Sequence, residues 1–412
     1  MKNLREDAQY IYTRAIEAVL PDEAVHRALA GHEFPGRVIL VAVGKAAWRM
    51  AAAAKDALGE RIESGIVITK YGHVQSPIPG IVCREAGHPV PDENSFSATR
   101  EALALTDGLT SEDTVLFLLS GGGSALFEDP LVPAEELQDI TQQFLACGAD
   151  IVEINTIRKR ISAVKGGRFA LHCAPAQVYA VILSDIVGDP VDMIASGPVT
   201  PDSTTCADAH AVAEKYSLRL SEKARELIAQ ETPKELGGVT VKITGSVREL
   251  CAAAANACRE RGYEPEILTE CETGIAREVG AKLAALAKQN ADTDTPRAYI
   301  LGGETVVRLT GKGKGGRNQE LALSAAEEIK GWDNITVFSV GSDGTDGPTD
   351  AAGGIADGGT ASRLAAAGRS IPEVLADNDA YRALQATGDL IITGPTGTNV
   401  NDFAAALVIP KA

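Results

Sequence analysis

The chain has 412 residues, enough for two or three domains at ~150 residues each, and 45% of them are hydrophobic, enough to fill their cores. With 39 basic against 56 acidic residues, the formal charge of −17 excludes sequence-independent attraction to nucleic acid or to an anionic membrane surface, so any anion site must be a local basic cluster. Seven cysteines without a C-x-x-C pair fit reduced thiols in a cytoplasmic protein better than a disulfide framework or a zinc site. No apolar run approaches the ~20 residues of a membrane span, and no membrane partner is expected.

The start of the chain lacks the apolar core of a signal peptide and reads as an amphipathic helix, with Ile11, Ala15, Ile16 and Val19 on one stripe. A pattern of strand then helix follows. RVILVAV (37–43) runs into an Ala-rich helix, GIVITK (65–70) is the next strand, TVLFLLS (114–120) precedes a triple glycine, and VYAVILSD (178–185) is nearly all apolar. Continuous apolar strands between amphipathic helices mean parallel strands covered on both faces, an α/β architecture. The pattern lapses at AQETPKELGG (229–238) and then resumes, which places a domain boundary there: 1–238 before it and 239–412 after it.

The triple glycine stands where a strand passes into a helix. In open parallel sheets ligands bind beyond the carboxyl ends of the strands, and a glycine-rich turn there presents backbone N–H groups to an anion. Ser120, Gly121, Gly122, Gly123 and Ser124 are therefore expected to hold phosphate or carboxylate oxygens. A tight turn with Ser124 as a helix cap is the plain alternative. The spacing matches neither a hydrolase elbow nor a Walker loop. Cations for such a site come from three places: Lys45, after Gly44 at the end of the first strong strand; the stretch 154–170, whose Asn155, Arg158 or Lys159, Ser162 and Lys165 share one helical face that either meets an anion or is simply solvated; and the loop TGKGKGGRN (310–318), with Arg317 and Asn318 opening the next helix.

That last loop also matches G-x-G-x-x-G at Gly311, Gly313 and Gly316, but the region ~20 positions later lacks the acid that would hold a ribose, so phosphate or carboxylate contact ranks above dinucleotide binding. Asp185 and Asp189 follow a buried strand, and Asp343, Asp346 and Asp350 follow another. Aspartates in Gly-Pro loops are commonly turn formers; at strand ends they also suit Mg²⁺, which takes one or two carboxylates and leaves the remaining positions to substrate phosphates. Glycine-rich backbone, cations and strand-end carboxylates together point to phosphoryl transfer. His88, before a proline turn, and Thr396, Thr398, Asn399 and Asn401, in one polar loop, are further groups that fit either a binding or a structural part.

The strings AVGKAA, GHPVPDE, LLSGGGSAL, INTIRKRISAVKGGRFA, LSDIVGDPVDMIASGPVTPD, GGETVV, GGRNQELAL, VGSDGTDGPTDAAGG and TGPTGTNVND, in this order along nearly the whole chain, resemble the glycerate 2-kinase family, which carries a C-terminal MOFRL domain. The resemblance implies a Rossmann-like three-layer N-terminal domain, a smaller α/β C-terminal domain (core about 297–405) and an active site in the cleft between them. It implies an enzyme that uses ATP and Mg²⁺ to phosphorylate the 2-hydroxyl of D-glycerate; a monomer or homodimer is expected. Lys45 and Arg317 are then catalytic, and Asp189 or Asp185 holds Mg²⁺ or takes the hydroxyl proton, with Asp343 as a further metal ligand. Some members carry the name hydroxypyruvate reductase, so an NAD(P)H-dependent reductase is the alternative.

Overall fold

The computed structural model describes residues 3–184, 188 and 191–411. The chain divides into two compact units, one made of Ala24–Leu183 and Asp189–Thr244, the other of Met1–Glu23, Ser184–Gly188 and Gly245–Ala412.

The first unit is built on six strands, β1 (Val38–Val43), β2 (Ile62–Lys70), β3 (Ile81–Ala86), β4 (Thr114–Leu119), β5 (Gln177–Ile182) and β6 (Val239–Ile243). They pair in parallel in the order β3-β2-β1-β4-β5-β6. This is the doubly wound order in which the winding reverses between the first and fourth strands. β1 and β4 are buried at every residue, which explains why both read as unbroken apolar runs. One face packs Leu40, Ala42, Leu116 and Leu118 against the helix Ala47–Leu58. On the other face Phe117 meets Phe127 and Phe169, with ring centroids 5.8 and 5.1 Å away. The result is the expected Rossmann-like three-layer arrangement.

The second unit carries β7 (Glu264–Glu272), β8 (Arg297–Gly303), β9 (Ile335–Gly341), β10 (Gly353–Asp357), β11 (Leu390–Ile391) and β12 (Asp402–Val408), in the order β11-β10-β9-β12-β8-β7. Here only β7 and β8 are parallel; the other pairs are antiparallel. Side chains alternate between two cores. Tyr299, Leu301, Val337 and Ala404 face the helices Ala276–Gln289 and Arg317–Glu328, while Ala298, Ile300, Phe338 and Phe403 face Leu4–Ala18 and Val247–Glu260. The N-terminal stripe of Ile11, Ala15, Ile16 and Val19 is buried there, so the first helix belongs to the unit that the C-terminal half builds.

The units therefore do not divide at 238. Val239–Ile243 continues the parallel sheet beside β5, and after it the chain passes to the second unit at Gly245. The Pro- and Gly-rich stretch before it is a loop within the first unit rather than a linker. Among the described residues no helix is long and apolar enough to cross a membrane.

Candidate active site

The turns after β1 and β4 lie side by side at the point where the winding reverses. Ser120 N–H donates to Val43 O at 2.9 Å, Lys45 N–H to Gly121 O at 2.9 Å, and Ala46 N–H to Ser120 Oγ at 3.1 Å. Such close turns leave no room for side chains: a Cβ on Gly44, whose φ is +118°, would stand 2.4 Å from Ser120 O. Gly122 (φ +91°) is walled by two side chains, since a Cβ there would lie 3.0 Å from His88 Cδ2, 3.2 Å from His88 Nε2 and 3.3 Å from Lys45 Cγ. The bare backbone of Gly122 and Gly123 thus serves close packing, Gly122 against Lys45 and His88 and Gly123 against Ala195 and Leu119.

Lys45 is half-buried, and its ammonium forms no hydrogen bond or ion pair with a described residue. A half-buried cation without a carboxylate partner among the described residues, in a chain of net charge −17, is the clearest sign of an anion site. Its backbone is held from a second side, with His73 Nδ1 3.0 Å from Lys45 O. The neighbouring His88 ring is kept below the usual imidazole pKa by burial first and then by the charges of Lys45, Lys70 and His73, so it is neutral at neutral pH.

The other residues expected around the turn divide into two groups. Ser124 Oγ lies 3.3 Å from Ser196 Oγ, and Arg158 Nη2 donates to Ser124 O at 3.3 Å, so both border the turn. Ser120, Asn155 and Lys165 instead face inwards. The Ser120 hydroxyl, buried, braces β1 to β4 through Ala46 N–H. Asn155 is buried and accepts from Ser196 Oγ at 2.8 Å. Lys165 is fully covered and donates to the carbonyls of Ser124 and Phe127, at 2.9 Å each, beside Glu128 at 3.3 Å. Burial pulls its pKa down to about 8, with the Glu128 charge opposing.

The expected polar face over 154–170 is corrected by the same geometry. The helix ends at Arg158, and Lys159 and Arg160 turn into the interior, where Lys159 Nζ donates to Asp202 Oδ1 at 3.0 Å and Arg160 Nη2 to Thr204 O at 2.8 Å. The basic run neutralises a buried aspartate, a partner 42 residues on that no local pattern reveals.

In the second unit Arg317 opens the helix Arg317–Glu328 and is held by two carboxylates. Its Nε and Nη2 fork onto Asp402, the Nη2 to Oδ1 distance being 3.1 Å, while Nη1 donates to Glu304 Oε1 at 2.8 Å. Burial opposes the guanidinium charge, but the hydrogen bonds and charge of Asp402, and the charge of Glu304, leave its pKa raised. Gly316, the N-cap, has no side chain to cap the helix, and Asp346 does so from outside: its carboxylate accepts from the N–H of Asn318 at 3.2 Å and of Gln319 at 2.9 Å. A Cβ on Gly316 would stand 2.2 Å from the Asp346 carboxyl carbon, which is why glycine stands there. Burial raises the Asp346 pKa to about 6 against the pull of those amides.

Several expected contacts here are structural instead. Asn318 is buried and accepts from Ser339 Oγ at 2.6 Å. Thr398 Oγ1 donates to Val19 O at 3.0 Å, whereas Asn399 is exposed. The glycine and lysine loop is no phosphate cradle: Gly311 N–H donates to Asn378 Oδ1 at 2.9 Å, Lys312 N–H to Asp377 Oδ1 at 3.0 Å, Gly313 N–H to Asp377 O at 2.7 Å and Lys314 N–H to Asp379 Oδ1 at 3.0 Å. A Cβ on Gly311 or Gly313 would enter residues 377–379, so the G-x-G-x-x-G match comes from packing against an acidic segment that has already taken the amides an anion needs. The same contacts weaken the dinucleotide reading.

Among the carboxylates, Asp350 accepts from Tyr381 Oη at 2.7 Å, and half-buried Asp343, just past β9, accepts from Thr345 N–H at 2.9 Å. Asp185 and Asp189 lie outside the described residues. Among the described residues no group of three or more His, Cys, Asp or Glu is placed to hold a metal by itself. A single carboxylate at Asp343 fits the habit of Mg²⁺, which completes its shell with phosphate oxygens and water. Sequence reasoning missed Asp402 and Glu304 as partners of Arg317, and nothing local to either residue signals that part.

A family model described as Domain of unknown function (DUF4147) matches residues 7–229, and the MOFRL family model matches 297–402. A D-glycerate 2-kinase from Thermotoga maritima is 52% identical over 99% of both chains. A relative from Agrobacterium vitis, 40% identical over 98% of this chain and 94% of its own, bears the provisional name of a hydroxypyruvate reductase. The crystal structure of a glycerate kinase from Thermotoga maritima superposes with a TM-score of 0.95 at 51% identity, covering 98% of this chain and 99% of that one. With a doubly wound sheet, a lysine at its switch point that is unpaired among the described residues, and full-length likeness in sequence and structure, the chain belongs to the glycerate 2-kinase family.

Proposed function

We propose that the chain is a kinase that transfers the γ-phosphoryl group of ATP to the 2-hydroxyl of D-glycerate, giving 2-phosphoglycerate and ADP. The observation that carries this reading from the molecule itself is Lys45, a half-buried ammonium without a carboxylate partner among the described residues, set against Gly122 at the switch point of a doubly wound sheet. Phosphoryl transfer asks chiefly for positioning and charge stabilisation, and such a cation stabilises charge that builds on the transferring group. Full-length relatives named as glycerate kinases supply the acceptor.

The other parts follow from the geometry as proposals. Arg158 and the N–H groups of the Gly121–Gly122 turn bind oxygens of the same anion. Asp402 fixes the plane of Arg317, and half-exposed Glu304 is the partner that an anionic substrate replaces, which turns Nη1 and Nη2 toward a planar carboxylate. Asp343 would hold Mg²⁺ together with substrate phosphates, and the ion, when bound, neutralises phosphate charge. The seven cysteines are all unpaired, which supports a cytoplasmic setting.

A paired assay tests the reading: ADP release with D-glycerate, ATP and Mg²⁺, beside NADH or NADPH oxidation with hydroxypyruvate. Glycerate-dependent ADP release that EDTA abolishes, without reductase signal, is the expected result. Reductase activity alone would overturn it.

A further inference from the structure

A kinase acting on an alcohol must remove the hydroxyl proton, a step that needs a base beside the cation that steadies the phosphoryl charge. Resting on the kinase reading, we propose that His88 is the general base that takes this proton. Three observations place it. His88 follows β3, so a third strand delivers a side chain to the same end of the sheet as the turns after β1 and β4. Its ring edge lies against Gly122 on the side where Lys45 also stands, with Nε2 the nitrogen nearer the place a Cβ on Gly122 would take, 3.2 Å from it. Neither ring nitrogen hydrogen-bonds a described residue, and both are open to water or a ligand.

Among the described residues the charged groups acting on the ring are Lys45 from the turn after β1, and Lys70 and His73 from the end of β2 and the loop beyond it. Asp92, on the segment that follows, is occupied by Gly87 N–H at 3.1 Å and by Tyr71 Oη at 2.6 Å. Burial first, and then these three neighbours, Lys45, Lys70 and His73, lower the imidazole pKa and so favour the unprotonated form that a base requires. In the step, the O2–H bond of glycerate breaks and its proton passes to Nε2. O2 bonds to the γ-phosphorus, and the bond from that phosphorus to the β,γ-bridging oxygen breaks, its electron pair leaving with ADP. The imidazolium then returns the proton to water.

The test compares the wild-type chain with His88→Gln and His88→Ala in glycerate-dependent ADP release over pH 5 to 9, each variant checked by thermal unfolding. General bases contribute ~10²–10⁴-fold, so kcat should fall by that factor in both variants with the KM for ATP little changed. The wild-type acid limb should flatten in His88→Gln, and free imidazole should restore part of the activity of His88→Ala. Variants within about threefold of wild type, or a loss that keeps the wild-type pH profile and resists imidazole, would overturn the proposal while leaving the kinase reading intact. A wild-type chain without glycerate-dependent ADP release removes both.

Discussion

Replacing Gly122 by alanine perturbs the candidate site through one methyl group. The residue stands at φ +91°, where a side chain costs ~1–2 kcal/mol. The new methyl would also lie 3.0 Å from His88 Cδ2 and 3.3 Å from Lys45 Cγ, inside the ~3.5–4.0 Å of comfortable carbon contact, so both side chains must move by several tenths of an ångström. The backbone cost alone should lower Tm by ~2–8 °C for a unit of this size. A misplacement of ~1 Å at a reacting group can cost ~10²-fold, so a shift of several tenths should lower kcat/KM for glycerate several-fold and at most by about that factor. Gly108→Ala separates the two effects: its φ is +68°, yet a Cβ there meets nothing within 4 Å. It should lose a similar amount of Tm and keep wild-type kcat/KM. Gly122→Ala with unchanged kcat/KM would refute the claim that Lys45 and His88 work against this turn.

Lys45→Ala should reduce kcat by ~10²–10³-fold with Tm nearly unchanged, because the ammonium has no partner among the described residues to lose; steady-state kinetics with thermal unfolding reads both. Lys165→Met strands the Glu128 carboxylate in the interior and frees two carbonyls, which should cost ~3–5 kcal/mol in urea unfolding. Asp346 has a folded pKa of about 6 against an ordinary 3.8, so the folded state binds the extra proton between those values and stability falls as pH rises through them. Asp346→Asn should lose that decline, seen as a flatter urea midpoint between pH 4 and 6.

Much of this architecture was legible because its signals are local. β1 and β4 are buried on both faces and so read as unbroken apolar runs, and the turns after them carried the glycines and the lysine that mark a switch point. What escaped depends on residues far apart in the chain. Lys159, Arg160 and Lys165 look like a solvated basic face until Asp202 and Glu128 are seen beside them. The glycines at 311 and 313 resemble a nucleotide loop until residues 377–379 claim their amides. The boundary near 238 failed for a related reason: a change in composition marks a loop equally well whether the next strand starts a new sheet or extends the old one.

The discontinuity of the second unit has a consequence for how the protein is made. Its core needs both the helix Leu4–Ala18 and the sheet that begins to form after Val247. A ribosome adding ~5–20 residues per second emits that helix first and the partners of its apolar stripe roughly 230 residues later, so the stripe waits ~10–45 s. Meanwhile the doubly wound unit, whose strands all fall within that interval, can be completed. Nascent chains thus pass through a stage with one finished body and one orphaned sticky helix, the stage at which a holding chaperone would most affect yield.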